Sequence, residues 1–122
     1  MGEDSLIEVG TYVENFNEIT AQEIPCGPIL QAAGLEVHIK KHHPDMLDSI
    51  SMIPQIIKTP DYIGHNPKEP FSIELVKKVS DNLMVCVKLD CEKKYLYVAS
   101  LYSITDGKLG NRLKSGRLKP YK

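Results

Sequence analysis

Apolar positions along the chain follow two different periods. Met46, Ile50, Ile53 and Ile57 recur at i, i+4, i+7 and i+11, the stripe of a helix buried along one side. Pro44 suits the first turn of that helix, where a missing N–H costs little, while Pro54 predicts a kink or a fresh turn and Pro60 an end. Ahead of it, beyond the Pro25-Cys26-Gly27-Pro28 boundary, Ile29 to His43 holds no proline and reads as a helix slightly weakened by Gly34. From Phe71 the pattern shifts to that of strands. Ser72 to Val79 and Leu83 to Leu89 are rich in Ile, Leu and Val, with Ser80-Asp81-Asn82 as the turn between them. A second turn at Asp90-Cys91-Glu92-Lys93 leads into Tyr95 to Ile104. Strict alternation there puts Leu96, Val98, Ser100, Tyr102 and Ile104 on one face and Tyr95, Tyr97, Ala99, Leu101 and Ser103 on the other. Asp106-Gly107 breaks this strand, and Lys108 to Lys114 makes a short helix stopped at Ser115-Gly116.

The first 25 residues mix short apolar pairs with Glu, Asn and Thr and read as an irregular or edge-strand segment. The order predicts an α+β fold with N-terminal helices packed on a roughly four-stranded antiparallel sheet and a short C-terminal helix. At 122 residues, 42% hydrophobic and 25% charged, the chain has the size and make-up of one domain. Its expected parts are an irregular acidic segment (1–25), helices (26–60), an antiparallel sheet (71–105) and a basic end (106–122).

The longest unbroken apolar run, Leu83 to Val87, is five residues, against about twenty for a membrane span, so no transmembrane helix is expected. The acidic Met-Gly-Glu-Asp start does not resemble a secretory signal. Cys26, Cys86 and Cys91 are odd in number and lack C-x-x-C spacing, which points away from a disulfide framework or zinc knuckle and toward the cytoplasm.

A net charge of -1 hides a strong polarity along the chain. Residues 1–24 carry six acids and no Lys or Arg, whereas residues 106–122 carry six bases against Asp106 alone. A basic end on a small domain is either a solvated tail or an electrostatic footprint for phosphate.

The densest chemical feature is His38-Ile39-Lys40-Lys41-His42-His43. On a helix, positions 38, 41 and 42 stack on one face, so two imidazoles and an ammonium converge. Imidazoles with a pKa of about 6.5 can divide acid and base roles near neutrality, and a cation beside them can stabilise a phosphorane, as metal-independent RNA cleavage requires. Two other readings stay open. His at i and i+4 is also a metal clip, although further ligands are unmarked and H-E-x-x-H is absent, and positive charge is favoured in any case at a helix C-terminus. Ser100 and Tyr102 on one strand face, followed by Arg112, Lys114 and Ser115, form a second constellation suited to phosphate, or an ordinary set of strand hydroxyls. G-x-x-x-x-G-K-[ST], G-x-S-x-G and G-x-G-x-x-G do not occur.

Taken in order, His38-Ile39-Lys40-Lys41-His42, then Ile53-Pro54-Gln55-Ile56-Ile57 leading to Pro60-Asp61-Tyr62-Ile63, then Tyr97-Val98-Ala99-Ser100-Leu101-Tyr102, and finally Arg112-Leu113-Lys114-Ser115-Gly116-Arg117-Leu118 resemble the phage and mobile-element nuclease domains of the barnase, EndoU, colicin and RelE-like superfamily. The resemblance covers roughly residues 30 to 119, without the first 25. It implies helices on a four-stranded antiparallel sheet and a toxin-like endoribonuclease that uses no metal or other cofactor. Carried onto these positions, it implies His38 and His42 as acid and base and Lys41 as the stabilising cation. Ser100, Tyr102, Arg112 and Ser115 become substrate or phosphate contacts, and His43 an extra histidine beside the motif. The partners implied are RNA, with tRNA among the substrates to consider, and an immunity or antitoxin protein. A non-catalytic nucleic-acid- or protein-binding module on the same fold is the alternative.

Overall fold

The computed structural model describes residues 6–121; Glu3, Asp4 and Lys122, which contribute to the charge asymmetry, lie outside them. Strand β1 (Leu6–Tyr12) leads into helix α1 (Glu14–Thr20) and strand β2 (Gly27–Ala32). Helix α2 (Gly34–His42), a 3-10 helix (Pro44–Met52) and α3 (Ile53–Lys58) follow. The rest is β3 (Tyr62–Gly64), β4 (Ser72–Lys78), β5 (Asn82–Asp90), β6 (Tyr95–Ile104), α4 (Asp106–Ser115) and β7 (Leu118–Pro120). These seven strands form one mixed sheet in the order β1-β2-β6-β5-β4-β3-β7. Among the described residues, only β2 and β6 run parallel, through Ile29↔Leu96 and Leu30↔Tyr97. The chain is therefore α+β overall, but a four-stranded, wholly antiparallel sheet behind N-terminal helices is overturned: the sheet has seven strands, and helices are spread along the chain.

Each departure has a physical cause. The segment expected to open a helix at Ile29 instead pairs with β1 over Leu6↔Ala32 to Tyr12↔Gly27, so long-range pairing outweighs local helix propensity and the helix begins only at Gly34. Strand β1 closes one side of the sheet, burying Val9 and Tyr12 while Leu6 and Ile7 stay exposed, which dilutes its alternation. Strands β3 and β7 have three residues each, too few to show a period, and Pro120 is tolerated because β7 is an edge. At their contact, Gly64 has no room for a side chain, since a Cβ there would collide with the Arg117 carbonyl. Pro54 does not bend a continuous helix; it stands in the first turn of α3, where the 3-10 helix ends.

The assignment of faces on β6 also needs correction. Cys86 pairs with Ser100 but Val87 pairs with Val98, so Ala99 is an extra residue, a β-bulge that resets the alternation. Leu96, Val98 and Leu101 consequently all join the larger core, under α2, the 3-10 helix and α3. Ser100, Tyr102 and Ile104 turn to the opposite face. There Val76, Met84, Ile104, Leu109 and Leu118 form a smaller core beneath α4. Helix α4 is capped by Thr105, whose hydroxyl accepts from the Lys108 amide, and ends at Gly116 with φ 85°, a left-handed conformation that suits glycine.

At the acidic end, a buried network fixes α1. The Tyr12 hydroxyl donates to Asn17 Oδ1 at 2.7 Å, and the Asn17 amide donates to the Ile24 carbonyl at 2.8 Å.

Candidate active site

Leu35 and Ile39 are buried and set the rotation of α2, which turns His38, Lys41 and His42 to solvent. The His38 and His42 rings lie with centroids 4.7 Å apart. His43 precedes Pro44, a position that disfavours helical backbone, and its φ of −141° ends the helix. Its half-buried ring stacks on Tyr102 at 5.5 Å and lies 6.2 Å from His38. The extra histidine is thus the one that joins the helix to strand β6.

Tyr102 and Ser100 line a polar cavity of about 320 Å³ with Ser72, Glu74, Cys86 and Lys88. Burial raises the Cys86 thiol to about 11, with the Glu74 carboxylate adding to it. Burial likewise raises the Tyr102 phenol to about 12, helped by Cys86 and Glu74 and opposed by the positive charge of Arg112. Both groups are therefore neutral hydrogen-bonding groups at physiological pH, and neither is an anionic nucleophile. Arg112, on α4, reaches this neighbourhood with Nη1 donating to Met84 Sδ at 3.2 Å.

Ser115 stands apart from this group. Its hydroxyl donates to the Arg112 carbonyl and accepts from the Arg117 amide, closing the end of α4, and it lines a separate cleft of about 680 Å³. The histidines, Tyr102, Ser100 and Arg112 thus form a contiguous neighbourhood, with Ser115 beyond it. Neither cavity is lined by His38, Lys41 or His42. Among the described residues, no group of three or more His, Cys, Asp or Glu side chains is arranged to hold a metal ion.

Sequence reasoning missed the ion pair between the two cavities. Glu74 is 3% exposed, and Arg117 meets it through two parallel hydrogen bonds, Nε to Oε1 at 2.9 Å and Nη2 to Oε2 at 2.6 Å. These bonds raise the Arg117 pKa further above its ordinary value. The available signal was a lone carboxylate inside Ile73-Glu74-Leu75-Val76, since a charge in an apolar strand needs a buried partner. The partner lies 43 residues away and could not be read locally. Glu69 pairs with Lys88 at the cavity rim; the contact lowers the carboxyl pKa and raises that of the ammonium.

The chain is thus an α+β domain in which a histidine-bearing helix end meets strand β6 through the stack of His43 on Tyr102. The phage-Barnase-EndoU-ColicinE5/D-RelE like nuclease3 family (PBECR3) matches residues 8–111, and the chain belongs to that family. The match begins far earlier than residue 30, taking in most of β1, and it stops before Arg112 and Ser115. No curated protein and no solved structure matches the chain. No helix among the described residues is long and apolar enough to cross a membrane.

Proposed function

We propose that this nuclease domain is a metal-independent endoribonuclease. One histidine of α2 takes the proton from a ribose 2'-hydroxyl as its oxygen attacks the adjacent phosphorus. Another protonates the departing 5'-oxygen, leaving a 2',3'-cyclic phosphate and a 5'-hydroxyl end. Lys41 faces the charge that builds on the phosphorane. Ser100, Tyr102 and Arg112 orient the strand on the sheet side, and Ser115 marks its path toward the basic end. The observation that carries the reading is the 4.7 Å separation of the His38 and His42 rings, close enough for both to reach oxygens of one phosphate. Such an activity inside a cell calls for an immunity or antitoxin protein as partner.

Incubation with tRNA or total RNA in EDTA tests the proposal. Cyclic-phosphate ends should accumulate, and His38→Ala or His42→Ala should slow cleavage by about 10²-fold or more. Intact RNA at protein concentrations that bind it would refute the activity; undiminished cleavage by both variants would refute the roles. The exposure of His38 and His42 outside either cavity favours a second reading, a binding module without turnover. Salt-sensitive RNA affinity with no product would establish it.

A further inference from the structure

The larger cleft lies between α1, the segment after β3, and the turn from α4 into β7. Gly116 reverses the chain there, and alternation along the following residues buries Leu118 while Arg117 and Lys119 line the cleft. Lys68 and His65 line it from the segment after β3. None of its lining residues is acidic, in a chain whose acids outnumber its bases 16 to 15. Glu74, behind the lining, balances the charge of Arg117, so the uncompensated positive charge at the cleft comes from Lys68 and Lys119.

Arg117 is also oriented in advance. Its Nε and Nη2 each donate to the buried Glu74 carboxylate, and these two bonds leave three of the five guanidinium N–H groups for a ligand. The immobile fork and the two flexible ammonium groups of Lys68 and Lys119 suit a tetrahedral oxyanion with several acceptor oxygens.

We propose that this cleft is a phosphate subsite for the backbone of a nucleic-acid strand, separate from the histidine face. Asn66 lines both this cleft and the cavity that holds Tyr102, so the two openings adjoin across the Glu74–Arg117 pair. A strand with one phosphate at the histidines would cross the polar sheet face and place a later phosphate at Lys68, Arg117 and Lys119. The proposal rests on the nuclease reading only for the kind of ligand.

A fluorescent 2'-O-methyl oligoribonucleotide lacks the attacking hydroxyl and reports binding independently of cleavage. Lys68→Glu/Lys119→Glu should weaken its binding about tenfold at low salt. It should also reduce the salt slope by about 0.7, the value for one lost phosphate contact on a single strand. Lys93→Glu/Lys94→Glu, an equal charge change in the β5–β6 turn, should have much less effect. Equal loss in both double variants, or none in the first, overturns the subsite. Titration with inorganic phosphate separates the two sources of the group: affinity equal to the oligonucleotide's would mean a free-anion site and also overturn the proposal. Oligonucleotide binding that depends on Lys68 and Lys119, found together with uncleaved RNA, would sustain the subsite while the catalytic reading fails.

Discussion

Toward α2, the 3-10 helix and α3, the central strands present Ile73 and Leu75, then Leu83, Val85 and Val87, then Leu96, Val98 and Leu101, all within one apolar core. On the opposite face the same strands carry Ser72, Glu74, Cys86, Lys88, Ser100 and Tyr102, and only Val76, Met84 and Ile104 continue the apolar surface. Coverage explains the difference. Helices α2 and α3 and the 3-10 helix close the first face, joined by Phe16 of α1, whereas the smaller core of the second lies beneath α4, ten residues long, or about 15 Å at 1.5 Å per residue. One such helix roofs one end of a sheet and leaves the remainder open. That remainder is where the side chains become polar and where both cavities meet. The first face supplies cohesion, and the second trades burial for access.

The bulge at Ala99 lets Val98 and Leu101 face the same core although they stand three residues apart, and the most damaging way to break the contrast is to empty that core face. Leu96→Ala/Leu101→Ala removes two buried aliphatic side chains from the larger core, whereas deleting Ala99 joins Val98 to Ser100 and leaves the other residues of β6 on their present faces. Each Leu→Ala change in a packed core costs about 2–5 kcal/mol, so a loss of more than about 4 kcal/mol is expected of the double variant in denaturant titration, and much less of the deletion. A deletion variant destabilised as much as the double variant would show that the bulge itself, beyond the core residues beside it, holds the strand in place.

The same bulge marks the limit of what could be read from the residues alone. Strands between Ser72 and Ile104 were legible because Ile, Leu and Val cluster between clear turn signals. Helix α4 was legible because Asp106-Gly107 and Ser115-Gly116 punctuate it. The faces of β6 were not, since an inserted residue leaves no local signature when its neighbours are as neutral as Val98-Ala99-Ser100. Strands β1, β2, β3 and β7 depend on partners distant in the chain. At the site, His38, Lys41 and His42 could be grouped by helical spacing, but the stacking of His43 on Tyr102 depends on how Pro44 ends the helix and on where β6 passes. Glu74 and Arg117 needed the fold to bring them together.

Next in size is the response of the polar face to losing its internal partner. Arg117→Met leaves the Glu74 carboxylate buried without a counter-charge. Breaking a fully buried pair costs about 3–5 kcal/mol, and because the Arg117 side chain is 26% exposed, the lower end, about 3 kcal/mol, is expected. Glu74→Leu/Arg117→Met should recover part of that loss, since replacing both members removes the stranded charge. If the double variant is less stable than Arg117→Met alone, the pair contributes to stability beyond balancing Glu74.

The smallest effect sharpens the contrast through pH. Cys86 and Tyr102 open on the polar cavity, yet burial raises their pKa values to about 11 and about 12 from ordinary values of 9.0 and 10.0. In both, the folded state holds the proton more tightly than the unfolded chain. Their contribution to stability is therefore complete below about pH 9 and is lost as pH rises through the folded values. Stability should be insensitive to these two groups up to about pH 8.5 and then fall, with Cys86 contributing at most about 1 kcal/mol per pH unit between 9 and 11. Melting curves of Cys86→Ala across that range should descend less steeply than those of the parent. Identical descent in parent and variant would mean that water reaches Cys86 freely, and that the polar face is open to water down to the strand itself.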